Sequence, residues 1–181
     1  MLILVRGKNN SGKSAFAEKL AVRLSDKRFY IATMQPYGKD GAKRVEKHRA
    51  QRAGLHFETL ERPYAVSDAP VCCSSVVLLE DVSNLLANVL FEKGKNERQV
   101  HADILLLASR CKALIAVTIS KIKPGEYDGE TIAYIAALQK LNERLYDSAD
   151  IVYEMQNGVA VLKKGIDDEL VKCTVHCGWD V

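Results

Sequence analysis

The strongest constraint on the fold is a glycine-rich run near the start of the chain, Gly7-Lys8-Asn9-Asn10-Ser11-Gly12-Lys13-Ser14. It matches the pattern G-x-x-x-x-G-K-[ST] in full, and this pattern binds nucleotide phosphates when a buried strand precedes it and a helix follows. Both flanks are present, because residues 2–5 are apolar and residues 15–24 repeat apolar side chains at helical spacing. The alternative is a chance match in a glycine-containing turn, and the two flanks argue against it.

The chemistry of this phosphate loop predicts binding of a nucleoside triphosphate through all eight of its residues. Its glycines let the backbone bend so that successive N–H groups face an anion, and the following helix adds the positive end of its dipole. Lys13 is expected to reach the β- and γ-phosphates, and Ser14 is expected to offer its hydroxyl to Mg²⁺. The loop selects neither the nucleotide nor the acceptor.

Strands and helices alternate along the rest of the chain. Strands are predicted at 2–5, 29–33, 55–60, 76–79 and 114–119, and helices at 15–24, 42–53, 98–110 and 130–146. Ser83 is the predicted N-cap of another helix, which Gly94 ends. Asn157-Gly158 predicts a hairpin that adds antiparallel edge strands. The sequence therefore predicts an α/β, P-loop NTPase-like domain over 1–164, with a mainly parallel sheet, and a C-terminal appendage over 165–181.

Composition excludes several classes of protein. The net charge of +3 is spread along the 181 residues, so we predict a small anionic ligand and no nucleic-acid partner. No stretch approaches the roughly 20 apolar residues of a membrane span. Five cysteines, an odd number, fit free thiols in the cytoplasm. The tail residues Cys173, His176 and Cys177 lack a fourth zinc ligand in a second cluster, so we assign them no metal.

Two acidic residues, Glu80 and Asp81, follow the apolar strand at 76–79. Folds of this class bring a carboxylate to Mg²⁺ at the end of such a strand. We therefore predict Glu80 as a magnesium ligand together with Ser14. The alternative is a strand end that is simply solvated.

A basic stripe lies in the predicted helix at 42–53. Arg44, His48 and Arg52 are spaced by four and share one helix face, with Lys47 and Arg49 beside them. Two guanidinium groups suit phosphate oxygens, and nearby cations keep an imidazole neutral, as a nucleophile or base must be. The alternative is a solvated charged helix, and spacing alone favours that alternative.

Several segments in order resemble the bifunctional adenosylcobinamide kinase / adenosylcobinamide-phosphate guanylyltransferases of cobalamin biosynthesis. The resemblance covers residues 1 to about 164. The segments are the strand and phosphate loop at 2–14, Tyr30-Ile31-Ala32-Thr33, Arg44-Val45-Glu46-Lys47-His48-Arg49, His56-Phe57-Glu58-Thr59-Leu60-Glu61, Leu78-Leu79-Glu80 with Ser83-Asn84-Leu85-Leu86, Leu141-Asn142-Glu143-Arg144-Leu145 and Ala149-Asp150-Ile151-Val152.

This resemblance implies two reactions, with Lys13 and His48 as catalytic residues. In the first, the hydroxyl of the cobinamide aminopropanol arm receives the γ-phosphate of ATP or GTP. In the second, His48 takes GMP from GTP and passes it to the new phosphate. Beyond the phosphate loop, the predicted nucleotide-binding residues are Ala32, Thr33, Met34, Arg49, Ala50, Gln51, Arg52, Glu61 and Glu80. The family also implies Mg²⁺ and a homo-oligomer, a trimer.

One segment departs from the family pattern. Family members carry N-E-V-G-x-G-I-V-P after the strand that ends near Thr118, whereas this chain has Ile119-Ser120-Lys121-Ile122-Lys123-Pro124. An arginine-rich pattern is also replaced over 127–137. This region is expected to shape the acceptor pocket or the subunit contacts. Two alternatives therefore stay open: a P-loop small-molecule kinase with another acceptor, and a non-catalytic GTP-binding member that acts through a partner.

Overall fold

The structure, a computed structural model, describes residues 1–35, 46, 50, 53–120, 122 and 125–166. Within this part of the chain seven strands form one sheet. They are β1 (Leu2–Gly7), β2 (Arg28–Ala32), β3 (Glu58–Glu61), β4 (Val76–Glu80), β5 (Ala113–Ile119), β6 (Ile151–Gln156) and β7 (Val159–Lys164). Their order across the sheet is β3-β2-β4-β5-β1-β6-β7. The predicted α/β fold with a mainly parallel sheet is confirmed.

The direction of β6 corrects one detail of the predicted hairpin. The hairpin is predicted to add antiparallel edge strands to the sheet. In the structure β6 pairs parallel with β1, and β7 alone of the two strands runs antiparallel at the edge. The physical reason is burial: Ile151, Val152 and Tyr153 are covered on both faces, as strands inside a parallel sheet are. The turn itself is as predicted, since Asn157 and Gly158 both have positive φ angles, 50° and 84°.

The described helices cover the sheet unequally. They are α1 (Lys13–Leu24), α2 (Val82–Lys93), α3 (Glu97–Arg110) and α4 (Gly129–Ser148). Helices α2, α3 and α4 bury their apolar residues against one face, where alternate strand residues such as Leu4, Leu79 and Ala116 point. Helix α1 packs on the opposite face through Ala17, Leu20 and Ala21. Successive residues of each strand therefore contribute alternately to two separate hydrophobic cores, one on each face of the sheet.

The start of α2 corrects the predicted N-cap. Asp81, not Ser83, caps the helix, because the Asp81 carboxylate accepts a hydrogen bond from the Asn84 backbone N–H at 2.6 Å. The Ser83 hydroxyl instead donates to the same Asp81 oxygen at 2.7 Å. Asp81 lies directly after β4 with extended backbone, which is the conformation of an N-cap residue. Gly94 ends the helix with a φ angle of 60°, as predicted.

The predicted division of the chain at residue 164 stays a prediction. Strand β7 ends at Lys164, and the residues from 167 onward, including Cys173, His176 and Cys177, lie outside the described residues. Within the described ranges, none of the helices has the length and apolarity that a membrane crossing requires.

Candidate active site

The phosphate loop leaves the carboxyl end of β1, a strand enclosed by β5 on one side and β6 on the other. The Ser120 backbone N–H donates to the Gly7 carbonyl at 3.2 Å and extends the sheet beyond the strand ends. Asn10 and Gly12 have positive φ angles, 58° and 86°, and these reverse the chain so that α1 begins at Lys13. Among the described side chains none caps this helix end, so its N–H groups are available to an anion.

The Lys13 side chain folds back onto the phosphate loop. Its Nζ donates to the Lys8 carbonyl oxygen at 2.7 Å, and the residue is only 9% exposed. Burial lowers the pKa of Lys13, while the nearby carboxylates of Asp81, Glu80 and Glu154 act in the opposite direction. An incoming phosphate would add further negative charge around the ammonium group and favour its charged form.

Ser14 and Glu80, the two predicted magnesium ligands, contact each other. The Ser14 hydroxyl donates to Glu80 Oε1, and the Tyr30 hydroxyl donates to the other oxygen, Oε2, at 3.2 Å. A hydroxyl and a carboxylate that converge beside a phosphate loop are the hard oxygen donors that Mg²⁺ prefers. The described residues contain no cluster of three or more His, Cys, Asp and Glu side chains around a common metal position. A magnesium site formed by Ser14 and Glu80 stays a prediction, and a cation held there would take its other ligands from phosphate oxygens and water.

The two acidic residues at the end of β4 have different tasks. Glu80 faces Ser14, whereas Asp81 caps α2. Burial raises the pKa of Asp81, and hydrogen bonds from Asn84 and Ser83 oppose this effect. The Asp81 backbone N–H also donates to Thr33 Oγ1 at 2.8 Å. Asp81 thus fixes the geometry of the strand end, and Glu80 is the carboxylate that contacts the phosphate loop.

Of the predicted nucleotide contacts after β2, Thr33 is the most constrained. Thr33 is fully buried, its hydroxyl donates to the Asp81 carbonyl oxygen at 2.8 Å, and Asn88 donates to its carbonyl oxygen at 2.8 Å. Ala32 and Met34 beside it are half-buried. In this structure the Thr33 side chain joins the ends of β2 and β4. A direct contact between these residues and the nucleotide stays a prediction.

Glu61 ends β3 at the outer edge of the sheet, paired with Ala32, and is exposed. Ala50 is also exposed. Most of the predicted helix at 42–53 lies outside the described residues, and with it the predicted site residues Arg44, His48, Arg49, Gln51 and Arg52. The structure therefore brings together the phosphate loop, Glu80 and the end of β2. That these residues handle the γ-phosphate stays a prediction.

Sequence reasoning missed two residues of the site. Tyr30 contacts Glu80, and Glu154 forms an ion pair with Arg6 at 2.5 Å and accepts a hydrogen bond from Ser120 at 2.8 Å. Tyr30 carried a weak signal, as a phenol inside an apolar strand two residues before the strand end. Glu154 carried none, because its partners lie far away along the chain.

Gly7 is predicted to tolerate no side chain. A Cβ atom at this position would lie 2.8 Å from Ser11 Oγ and 3.0 Å from the Met155 backbone oxygen. Gly7→Ala is therefore expected to displace the loop, weaken GTP binding at least about tenfold and cost roughly 1–3 kcal/mol of folding free energy. Titration with GTP and thermal unfolding measure both effects. Gly129→Ala is the matched control, since a Cβ there meets nothing within 4 Å. Equal GTP affinities for Gly7→Ala and wild type would contradict the prediction.

The sequence of this chain is similar to that of known proteins from one family. The model of the family described as "Cobinamide kinase / cobinamide phosphate guanyltransferase" matches residues 3–162. The bifunctional adenosylcobalamin biosynthesis protein CobU of Escherichia coli (strain K12) is 30% identical over 180 aligned positions, which cover 89% of this chain and 98% of that protein. The protein of the same name from Salmonella typhimurium is 27% identical with the same coverage.

Solved structures support the fold alone. The flagellar accessory protein FlaH from Methanocaldococcus jannaschii superposes with a TM-score of 0.53 at 14% identity, covering 91% of this chain and 78% of that one. An ATPase from the type III secretion system of pathogenic bacteria gives a TM-score of 0.52 at 10% identity, covering 96% and 61%. At these identities the likeness extends to the sheet and its helices and carries no information about substrates.

Proposed function

The chain belongs to the cobinamide kinase / cobinamide phosphate guanyltransferase family, and from this premise we propose that it acts on adenosylcobinamide in two steps. It first transfers the γ-phosphate of ATP or GTP to the substrate hydroxyl, and it then transfers GMP from GTP to the new phosphate. The observation that carries the proposal is the convergence of Lys13, Ser14 and Glu80 at the end of β1 and β4. Family membership supplies the acceptor.

In the first step the acceptor hydroxyl oxygen attacks the γ-phosphorus, the bond to the β,γ-bridging oxygen breaks, and the nucleoside diphosphate leaves. Lys13 and the N–H groups at the start of α1 stabilise the negative charge on the transferring group. Mg²⁺ held by Ser14 and Glu80 would supply further neutralisation of phosphate charge. Because this chemistry needs little covalent help from the protein, positioning and electrostatics account for most of the rate.

In the second step His48 is the proposed nucleophile. A neutral imidazole nitrogen attacks the α-phosphorus of GTP, pyrophosphate leaves, and a phosphorus–nitrogen bond holds GMP on the enzyme. An oxygen of adenosylcobinamide phosphate then attacks the same phosphorus and releases the imidazole. The support is the resemblance of the segment at 44–49 to the family, and a helix over 42–53 would present Arg44 and Arg52 on the same face as the imidazole.

The segment at 119–137 differs from the family pattern, and this difference concerns the identity of the acceptor substrate. Within this segment the Ser120 hydroxyl donates a hydrogen bond to Glu154, and the Tyr134 hydroxyl donates to the Ser83 carbonyl oxygen at 3.1 Å beside the acidic end of β4. These two contacts support an acceptor position between the described part of this segment and the proposed γ-phosphate site. A P-loop kinase with another small-molecule acceptor, in which His48 is only a phosphate contact, is the second candidate.

The setting of the enzyme completes the proposal. We place it in the cytoplasm, supported by Cys72, Cys73 and Cys111, which are free thiols. Its partners are small molecules, and we propose a homo-oligomer, a trimer by analogy with the family. Analytical ultracentrifugation or light scattering would measure the oligomeric state.

The experiment that tests the first step follows γ-labelled ATP and γ-labelled GTP with Mg²⁺ and adenosylcobinamide. We expect label in cobinamide phosphate with both nucleotides. A panel of other small alcohols serves as the comparison. Transfer to another alcohol but not to adenosylcobinamide would favour the second candidate. Tight GTP binding with neither hydrolysis nor transfer over long incubation would point instead to a non-catalytic member that acts through a partner.

A further inference from the structure

The phenol ring of Tyr30 is a rigid part of the core on the α1 face of the sheet. Tyr30 is 4% exposed and packs among the buried residues Ile3, Val5 and Leu78. The Phe57 ring meets it edge-on, with the ring centroids 6.2 Å apart and the planes at 76°. A tyrosine has two side-chain torsions, and a ring enclosed in this way holds its hydroxyl in one place.

The position of that hydroxyl follows from the sheet register. Tyr30 on β2 pairs with Leu78 on β4, and Glu80 lies two residues further along β4 on the same face. A diagonal neighbour at this spacing is within reach of an aromatic side chain. The Tyr30 hydroxyl accordingly donates to Glu80 Oε2 at 3.2 Å, while the Ser14 hydroxyl donates to Oε1. The two carboxylate oxygens of Glu80 are thus assigned to two different partners.

We propose that Tyr30 is a positioning residue that orients the Glu80 carboxylate toward Ser14 and thereby sets the affinity of the nucleotide site for Mg²⁺. The proposal rests on the proposed function in that it takes Ser14 and Glu80 as the magnesium ligands. Ser14 is itself one of those ligands, whereas Tyr30 is not. The hydrogen bond from Tyr30 is therefore a constraint on Glu80 from a residue that does not itself bind the cation.

Orientation of this carboxylate matters because Mg²⁺ demands near-ideal octahedral geometry and takes few ligands from the protein. A glutamate without a fixed partner would lose torsional freedom when it binds the cation, and that entropy opposes binding. A residue that fixes the ligand beforehand removes this cost, and loss of such outer partners typically lowers metal affinity about 10- to 100-fold.

The test compares Tyr30→Phe with wild type by calorimetric titration of Mg²⁺ into protein saturated with a non-hydrolysable GTP analogue. Tyr30→Phe keeps the ring and removes the hydroxyl. We expect its Mg²⁺ affinity to fall about tenfold, with the affinity for the analogue in EDTA unchanged. Tyr153→Phe is the matched control, because Tyr153 is 5% exposed on the same face of the sheet but belongs to β6, three strands away from β4. Its Mg²⁺ affinity is expected to equal that of wild type.

A double-mutant cycle with Glu80→Gln separates orientation from general packing. If Tyr30 acts through Glu80, Tyr30→Phe causes no further loss of Mg²⁺ affinity when Glu80 is already replaced. An equal loss in both backgrounds, an unchanged Mg²⁺ affinity in Tyr30→Phe, or an equal loss of analogue affinity in EDTA would each overturn the proposal. Should Tyr30→Phe fail to fold, Tyr30→Met replaces it and must show the same loss. None of these titrations contains adenosylcobinamide, so their failure is distinguishable from failure of the proposed function.

Discussion

Lys13→Ala is expected to lower the rates of γ-phosphate transfer and GMP transfer by about 10³-fold or more. The Lys13 side chain is buried, and its ammonium group is fixed by the Lys8 carbonyl oxygen of the phosphate loop. A preorganised cation in such a place is already oriented when charge develops on the phosphate, and removal of one preorganised donor costs about 10²–10³ in rate. Because both proposed reactions start from a triphosphate bound in this loop, we expect a loss of binding to add to this factor. Initial rates with labelled nucleotides measure it.

Lys19→Ala is the matched control for this prediction. Lys19 lies on the same helix, α1, but it is exposed. Its replacement is expected to leave both rates within about twofold, as exposed substitutions usually do. Lys13→Arg adds a second comparison, since a planar guanidinium is not interchangeable with a compact ammonium group. If Lys13→Ala retained more than about a tenth of either rate, the assigned role of this lysine would be wrong.

His48→Ala is expected to abolish GMP transfer and to leave γ-phosphate transfer to adenosylcobinamide within about threefold of wild type. Without the imidazole the covalent guanylyl intermediate cannot form, so GMP transfer is expected to stop completely. The proposed first step uses Lys13 and Ser14 on α1 and Glu80 on β4, outside the segment that contains His48. The two activities should therefore separate in this variant, and separate assays of each step measure the result.

His101→Ala is the control for the loss of a histidine. The His101 ring lies on α3, its Nε2 is 3.0 Å from Ser148 Oγ, and burial together with the nearby Arg144 lowers its pKa. This variant is expected to keep both activities. Equal loss of both activities in His48→Ala would indicate that His48 is a shared phosphate contact. Unchanged GMP transfer in His48→Ala would remove it from the mechanism.

Sequence reasoning predicted the elements whose signals are local. The phosphate loop, the strand before it and the helix after it form one uninterrupted stretch of chain, and the structure contains all three. The turn at Asn157 and Gly158 was also predictable, because its backbone conformation needs residues that tolerate positive φ angles. Family membership followed from the order of several short segments and is confirmed.

Features that depend on distant partners were not predictable. Ser83 and Asp81 are both acceptable N-caps by residue type, and the choice of Asp81 depends on where β4 ends and on the Thr33 hydroxyl that fixes Asp81. The direction of β6 depends on the parallel pairing with β1, which is far away along the chain. The contact between Tyr30 and Glu80 likewise depends on the register of β2 and β4. Residue spacing in the sequence does not determine the choice of N-cap, the direction of β6 or the register between β2 and β4.

The most direct test of the central claim uses α-labelled GTP with Mg²⁺ in two stages. The first stage contains no acceptor and is expected to place an acid-labile label on the wild-type protein and none on His48→Ala. Unlabelled adenosylcobinamide phosphate is then added, and the label is expected to leave the protein and appear in the guanylylated cobinamide. An unlabelled wild-type protein, or a label that adenosylcobinamide phosphate fails to remove, would contradict the account.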